Sequence, residues 1–288
     1  MFRFALNPRW SDLPHCSALL NGFPRDYSVH DYRTTLSIKS VVRGEAWYET
    51  ASGRYRVTPD VFLVLNHDQH YSMEVDGGVP TETLCPFFQR GFMESAAARG
   101  DLDEPQASRS VEFCERLYPM DSAVGRALAR MRTSDIEDGF HELAAALLEV
   151  RDDARRELLA FPAVRVTTRE ELYRRLYRAR DFLFSSYGEP VTVSDAASIA
   201  AMSPFHFHHA FKRAFGRSPM QLLRSYRLEA AKAMIENGSD VTTACLSSGF
   251  ESATTFSGLF KRTYGCSPRQ VAKKAVLKRS GLSTRATL

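Results

Sequence analysis

The chain has 288 residues, 44% hydrophobic and 25% charged, with a net charge of +4. That length suits two domains, and no apolar run approaches the span of a membrane helix. The five cysteines (Cys16, Cys85, Cys114, Cys245 and Cys266) are scattered, odd in number and free of any C-x-x-C pair, which speaks against a disulfide framework or a zinc ribbon. The opening Met1-Phe2-Arg3-Phe4-Ala5-Leu6-Asn7-Pro8 lacks the long apolar stretch of a secretion signal, so a cytoplasmic protein is expected.

Charge is unevenly spread. Residues 188–277 hold eleven Lys and Arg against six Asp and Glu, whereas residues 1–187 are slightly acidic. A basic C-terminal region on an acidic N-terminal one points to a polyanion partner for the former.

From about Tyr27 to Phe92 the hydrophobic pattern has period two. Thr35-Leu36-Ser37-Ile38-Lys39-Ser40-Val41 alternates, as does Arg54-Tyr55-Arg56-Val57, and breakers fall at Arg43-Gly44, Ser52-Gly53, Pro59-Asp60 and Asp76-Gly77-Gly78. Short strands with such punctuation predict an antiparallel sandwich or small barrel. Residues 96–107 read as a loop. Val111–Tyr118, Ala123–Met131 and a segment around Phe140, Leu143, Ala144 and Leu147 read as helices. They form either a collar on the sandwich or a helix pair that dimerises. The next helix opens at Thr168, with Glu171 placed to complete a capping box. It presents Leu172, Leu176, Ala179 and Leu183 on one face and ends at Tyr187-Gly188-Glu189-Pro190. From there the pattern is helical to about Ala275.

One repeat carries most of the information. Phe211-Lys212-Arg213-Ala214-Phe215-Gly216-Arg217-Ser218-Pro219-Met220-Gln221 returns 49 residues later as Phe260-Lys261-Arg262-Thr263-Tyr264-Gly265-Cys266-Ser267-Pro268-Arg269-Gln270, and eight of eleven positions match by identity or aromatic class. Two copies of one unit are therefore expected. In each, a short helix and a tight turn precede a second helix capped by Ser203 or Ser252, with Pro204 in the first turn of one. Phe207, Phe211 and Phe215, and again Phe256, Phe260 and Tyr264, fall four apart on one face, the spacing of a core stripe. This grammar is that of a helix-turn-helix. The opposite face is free to enter a major groove. The expected DNA contacts are Ser203, Pro204, Phe205, His208, His209 and Lys212 in the first copy, and Ser252, Ala253, Thr254, Ser257 and Lys261 in the second. The histidines at 206, 208 and 209 also raise a pH-dependent contact, since the protonated ring favours a polyanion. Pro219 to about Asn237 reads as a connecting helix of roughly 28 Å.

Arg169 to about Lys274 resembles the AraC/XylS family of transcriptional regulators. The diagnostic pieces are Met202-Ser203, Phe211-Lys212, Gly216-x-Ser218-Pro219, Arg227-Leu228-x-x-Ala231, Gly249-Phe250, Ser252, Phe256-Ser257, Phe260-Lys261 and Gly265-x-Ser267-Pro268. The resemblance implies an α+β multidomain protein. Residues 1–107 form a cupin-like effector-sensing domain, 108–165 a helical dimerisation or linker region, and 166–277 a seven-helix tandem helix-turn-helix domain; 278–288 form a basic flexible tail. It implies double-stranded DNA as partner, a homodimer, a small-molecule effector, and RNA polymerase if the chain is an activator. Relatives often carry arginine where this chain has His209 and Gly258. Arginine reads guanine with two hydrogen bonds; His209 makes one and Gly258 none, so the second unit is expected to grip mainly phosphates.

For the N-terminal domain the competing expectation is a cupin-type metal enzyme with an accessory helical domain. His67 and His70 are its candidate ligands, but the His-x-His pattern is missing and in an extended chain the two rings diverge. No catalytic residue, metal or cofactor is therefore expected. An effector pocket would draw on Trp47, Tyr55 and Tyr71, with Arg33 or Lys39 fixing an anionic group.

Overall fold

The computed structural model describes residues 2–4, 15–98, 112–161 and 166–283, apart from the side chains of 2–4, 166–168 and 278–283. The chain divides into two compact units between Asp181 and Phe182.

The N-terminal unit is built on two sheets. One holds β1 (Phe2–Phe4), β2 (Ser17–Gly22), β4 (Ser37–Lys39), β5 (Val41–Arg43), β8 (Val61–Leu65), β10 (Glu82–Phe87) and β11 (Leu117–Pro119). Its order is β1-β2-β10-β4-β8-β11, with β5 also on β10. The other has the order β3-β9-β6-β7, from β3 (Tyr27–Arg33), β9 (His70–Val75), β6 (Ala46–Thr50) and β7 (Gly53–Val57). All pairings are antiparallel except β1 with β2.

Alternation along each strand sorts its side chains. Leu19, Ile38, Phe62, Val64, Leu84 and Phe88 form one core with Met93 of α1 (Phe92–Ala98), Val124, Ala127 and Leu128 of α2 (Ala123–Arg130), and Phe140, Leu143, Ala144 and Leu147 of α3 (Ile136–Ala160). Each fully buried Leu, Ile or Phe here contributes about 1.5–3 kcal/mol. The helices expected in 108–165 thus cover the first sheet as a collar and do not stand apart as a separate region. The helix expected over Val111–Tyr118 is not formed. The chain is irregular from Glu112, and Leu117–Pro119 pair with β8 through Leu117↔Leu63 and Tyr118↔Phe62. Pro119 disfavours a helix interior, and the Tyr118 ring gains a stack on Phe62 at 5.5 Å. Residues 99–107 of the expected loop and Val111 lie outside the described residues.

The helix expected from Thr168 starts earlier, at Val166, and runs to Ser185 as α4; the side chain of Thr168 lies outside the described residues. The division at Asp181/Phe182 therefore falls within α4, and not at 165/166. Residues of α4 before the division pack on the N-terminal unit through a polar network. Arg116, buried, pairs with Glu157 at 2.7 Å and lies over the rings of Tyr118, Tyr173 and Tyr177. Glu157 also accepts from the hydroxyls of Tyr173 and Tyr177. Asp181, buried, accepts from the Leu117 amide at 2.8 Å, and Arg180 donates to the Leu117 carbonyl at 2.8 Å. Burial raises the Asp181 carboxyl above its ordinary range, opposed by the Arg180 charge and the Leu117 hydrogen bond. Moving α4 would strand these buried polar groups, which is costly, so they fix where α4 docks.

The C-terminal unit takes up the end of α4 and continues with α5 (Val193–Ile199), α6 (Pro204–Phe215), α7 (Pro219–Glu236), α8 (Val241–Ser247), α9 (Ala253–Tyr264) and α10 (Pro268–Ser283). Six whole helices, α5–α10, and the last residues of α4 thus make up the described part of this unit. Residues 278–283, expected in a flexible tail, continue α10, while 284–288 lie outside the described residues. Lys278 and Arg279 are good helix formers, and no proline stops the helix. Helix α7 packs against α5, α6, α8 and α10. Arg227 on α7 donates to the carbonyls of Tyr187 at 2.8 Å and Glu189 at 2.7 Å, which ties the α4–α5 connection to the rod.

Candidate nucleic-acid interface

The two copies of the repeat fold alike, for reasons that begin with their caps. Thr192 caps α5 in a reciprocal box with Asp195. Asp240 caps α8, accepting from the amides of Thr242 and Thr243. Ser203 accepts from the His206 amide at the start of α6, and Ser252 from the Thr255 amide at the start of α9. These side chains satisfy amides that a helix N-terminus leaves open. Both second helices end on a glycine in the left-handed region, Gly216 (φ 70°) and Gly265 (φ 72°), whose amides return to Lys212 and Lys261. The following helices open with matching boxes, Ser218 with Gln221 and Ser267 with Gln270.

The aromatic stripe is core in both copies. Phe207, Phe211, Phe256 and Phe260 are fully buried. Phe211 lies 5.2 Å from Phe207 and 4.6 Å from Phe215, and Phe260 lies 5.5 Å from Phe256 and 4.7 Å from Tyr264. The turns differ. In the first copy four residues separate α5 from α6 and Ala201 takes the left-handed conformation (φ 50°); in the second, five separate α8 from α9 and Gly249 takes it (φ 80°).

Packing one face leaves the other to solvent. On α6, Ser203, Pro204, Phe205, His209 and Lys212 are exposed and His208 is half-buried. Phe205 stands 70% exposed, unusual for so large an apolar side chain. Its ring lies 4.6 Å from that of His209, so the two present a joined surface. His206 is engaged elsewhere, its Nδ1 3.1 Å from the hydroxyl of the cap Ser203. On α9, Ser252, Ala253, Thr254 and Lys261 are exposed and Ser257 is half-buried. A Cβ added at Gly258 would meet nothing within 4 Å. The face of α6 thus offers an aromatic ring, imidazoles and a cation. That of α9 offers hydroxyls, a cation and open space.

The residues expected to line an effector pocket do not all converge. Lys39 and Tyr71 are buried together, the Lys39 Nζ 4.2 Å from the Tyr71 ring centroid. Arg33 is instead exposed and shares Asp68 with Arg90. Trp47 is only half-buried and alternates with the buried Tyr48, so it points to the other face of β6, where Arg54 lies 4.4 Å over its ring. Tyr55 is buried, but its hydroxyl is on the side of Glu115 and Asp181; burial first, then these carboxylates, push its pKa up. His67 and His70 diverge, with a turn and not an extended chain between them, Asp68 taking the left-handed conformation (φ 65°). His67 Nδ1 accepts from the Leu36 amide at 3.0 Å, and His70 pairs with Asp31 at 2.8 Å. Among the described residues no three His, Cys, Asp or Glu side chains are placed to hold a metal ion, and no helix is long and apolar enough to cross a membrane. The Arg116–Glu157–Asp181 network was not foreseen, because its members are far apart in sequence and none belongs to a motif.

Residues 196–274 match the family of helix-turn-helix domains. Over 276 residues the chain is 24% identical to the uncharacterized HTH-type transcriptional regulator YdiP of Escherichia coli K12, covering 93% of this chain and 83% of that one. It is 32% identical over 81 residues to the bifunctional transcriptional activator/DNA repair enzyme Ada of Escherichia coli K12, covering 28% of this chain and 23% of Ada. Among solved structures, a probable AraC family transcriptional regulator from Rhodopseudomonas palustris is 24% identical; the match covers 35% of this chain and 96% of that one, with a TM-score of 0.34. With its duplicated units, this chain carries an AraC-type helix-turn-helix domain over residues 196–274, and over most of its length it is similar to an HTH-type transcriptional regulator.

Proposed function

We propose that the two helix-turn-helix units engage successive major-groove faces of one duplex, with α6 reading bases and α9 mainly holding phosphates. The observation that carries this reading is the duplication itself: two helices with the same caps, the same buried aromatic stripe and the opposite face exposed. Helix α7, 18 residues long, spans roughly 27 Å. Successive major-groove faces lie roughly 34 Å apart, so a rod of this length with a reading helix on either side suits two contacts on one side of DNA. On α6, Phe205 suits a thymine methyl, and His209 offers one hydrogen bond to a base edge. On α9, Ser252, Thr254 and Ser257 supply hydroxyls and Lys261 a charge, the equipment of backbone contact.

In this reading the N-terminal unit senses a small molecule, and the regulator acts as a cytoplasmic homodimer that also meets RNA polymerase if it activates. Lys212→Ala and Lys261→Ala each test the DNA assignment. Each is expected to weaken binding to all sequences alike and to reduce the slope of log K against log salt by about one. A slope that stays at the wild-type value in both variants contradicts their placement on phosphates.

A further inference from the structure

The interior between the two sheets of the N-terminal unit holds an unusual charge. Strand alternation sends Ile38 to the helical core and Lys39 to the opposite side; along β10 and the residue after it, Leu84 and Phe88 go one way and Cys85 and Phe87 the other. Lys39 is 1% exposed. Its Nζ lies 4.1 Å from the Phe87 ring centroid and 4.2 Å from that of Tyr71, which belongs to the other sheet, and it has no hydrogen-bond partner among the described residues. Ring faces return part of the lost hydration of an ammonium, but an unpaired buried charge remains costly. Burial lowers the pKa of Lys39 to about 7, opposed by the neighbouring Cys85 side chain. The titratable groups facing it are Cys85 on β10, Tyr71 on β9 and, against Cys85, Tyr48 on β6; no carboxylate is among the groups that act on it. Tyr48 is itself 1% exposed, and its hydroxyl has no oxygen or nitrogen acceptor. The Cys85 thiol is already directed to the Ser40 carbonyl at 3.9 Å.

Lys39 thus awaits an acceptor in aromatic surroundings, and the Tyr48 hydroxyl of the facing sheet has only the Cys85 sulfur beside it. Native interiors rarely leave such groups open, and each instance asks for a missing partner. A cationic or donor-rich ligand would worsen the imbalance, and a dianion would exceed the single positive charge available. We propose that this point is a binding site for a small organic monoanion: a carboxylate whose oxygens accept from the Lys39 ammonium and the Tyr48 hydroxyl, and whose apolar body rests on the surrounding rings. The site deepens the sensing role given above to the N-terminal unit, and it rests on that reading. Binding is coupled to a proton. The carboxylate favours the charged amine, so protein that holds Lys39 neutral takes up a proton on binding. Affinity nears its full value about one pH unit below that pKa and weakens roughly fifteenfold between pH 7 and 8.5.

The test uses the full chain and three matched probe series: n-alkanoates from propanoate to decanoate with benzoate, the corresponding primary alcohols, and the corresponding amines. Calorimetry is run at pH 7 and 8.5 in buffers of different ionisation heat. The expected result is binding confined to carboxylates, with proton uptake, and its loss by at least about thirtyfold in Lys39→Met. Because methionine conserves volume and removes an unpaired charge, Lys39→Met without ligand is expected to melt at or above the wild-type temperature. A lower melting temperature identifies Lys39 as a structural group and overturns the proposal. Binding of alcohols or amines in place of acids, or carboxylate binding unchanged in Lys39→Met, also overturns the anion site while leaving the sensing role intact. Failure of every probe in all three series counts against both.

Discussion

Phe211→Ala and Phe260→Ala are each expected to destabilise the C-terminal unit by about 3–5 kcal/mol, because each empties a fully buried ring from a close-packed stripe. Domains of this size have total stabilities of about 5–15 kcal/mol, so either change removes a large part of the whole. Phe211 contacts rings on both sides along α6, and Phe260 does the same along α9. Phe260 also belongs to a core shared with Leu228, Ala231 and Ile235 of the rod and Ala244 and Cys245 of α8. Its loss therefore reaches the rod and the second reading helix together. Phe205→Ala gives the contrast. At 70% exposure Phe205 has little packing to lose, so stability is expected to change by no more than about 0.5 kcal/mol while DNA affinity falls. Urea denaturation alongside DNA titration separates the two behaviours. If Phe211→Ala left the midpoint unchanged yet abolished DNA binding, the stripe would be facing bases and the assignment of faces would be reversed.

Gly249→Ala carries the second large effect, and it acts at the turn of the second helix-turn-helix. Gly249 has φ 80°, a region that side chains rarely adopt. An added Cβ would approach the Tyr187 carbonyl to 2.6 Å and Arg227 Nε to 2.9 Å, the two partners of the hydrogen bond that ties the α4–α5 connection to α7. Backbone strain of about 1–3 kcal/mol adds to overpacking of similar size, so a loss above about 2 kcal/mol is expected. The melting temperature of a unit of this size then falls by more than about 10 °C. The matching change in the first copy has the opposite sense: Ala201 already adopts φ 50°, and Ala201→Gly relieves strain at a cost only in unfolded-chain entropy. Calorimetric melting of the two variants checks the pair. A Gly249→Ala protein as stable as wild type would show that the turn relaxes without resistance.

The C-terminal unit was legible from sequence because its information is local and stated twice. Ser203 and Ser252 as caps, Pro204 at the first turn, the four-residue spacing of Phe207, Phe211 and Phe215, and the Ser-Pro starts at 218 and 267 each act within a few residues, and all but Pro204 recur at an offset of 49. The N-terminal unit depends on pairing between distant strands. Arg33 and Trp47 were placed in a pocket on residue type, but a strand's alternate residues face opposite ways, and the register of β6 turns Tyr48 inward and Trp47 out. Leu117 and Tyr118 read as the end of a helix because a three-residue edge strand has no period of its own; only its partner β8 makes it a strand. Arg116 meets Glu157 across a separation of 41 residues and Leu117 meets Asp181 across 64, and nothing in their immediate neighbours announces it. The left-handed turn at Ala201 was hidden for the opposite reason, since the surrounding structure imposes on alanine a conformation that the residue does not favour.

Phosphate-ethylation interference on a selected DNA site is the most direct test of two reading heads on one duplex. With the full chain, two clusters of essential phosphates are expected on one face, about one helical turn apart; Lys212→Ala should erase contacts in one cluster and Lys261→Ala in the other. A single cluster, or two that fade together in either variant, would mean that only one helix-turn-helix touches DNA.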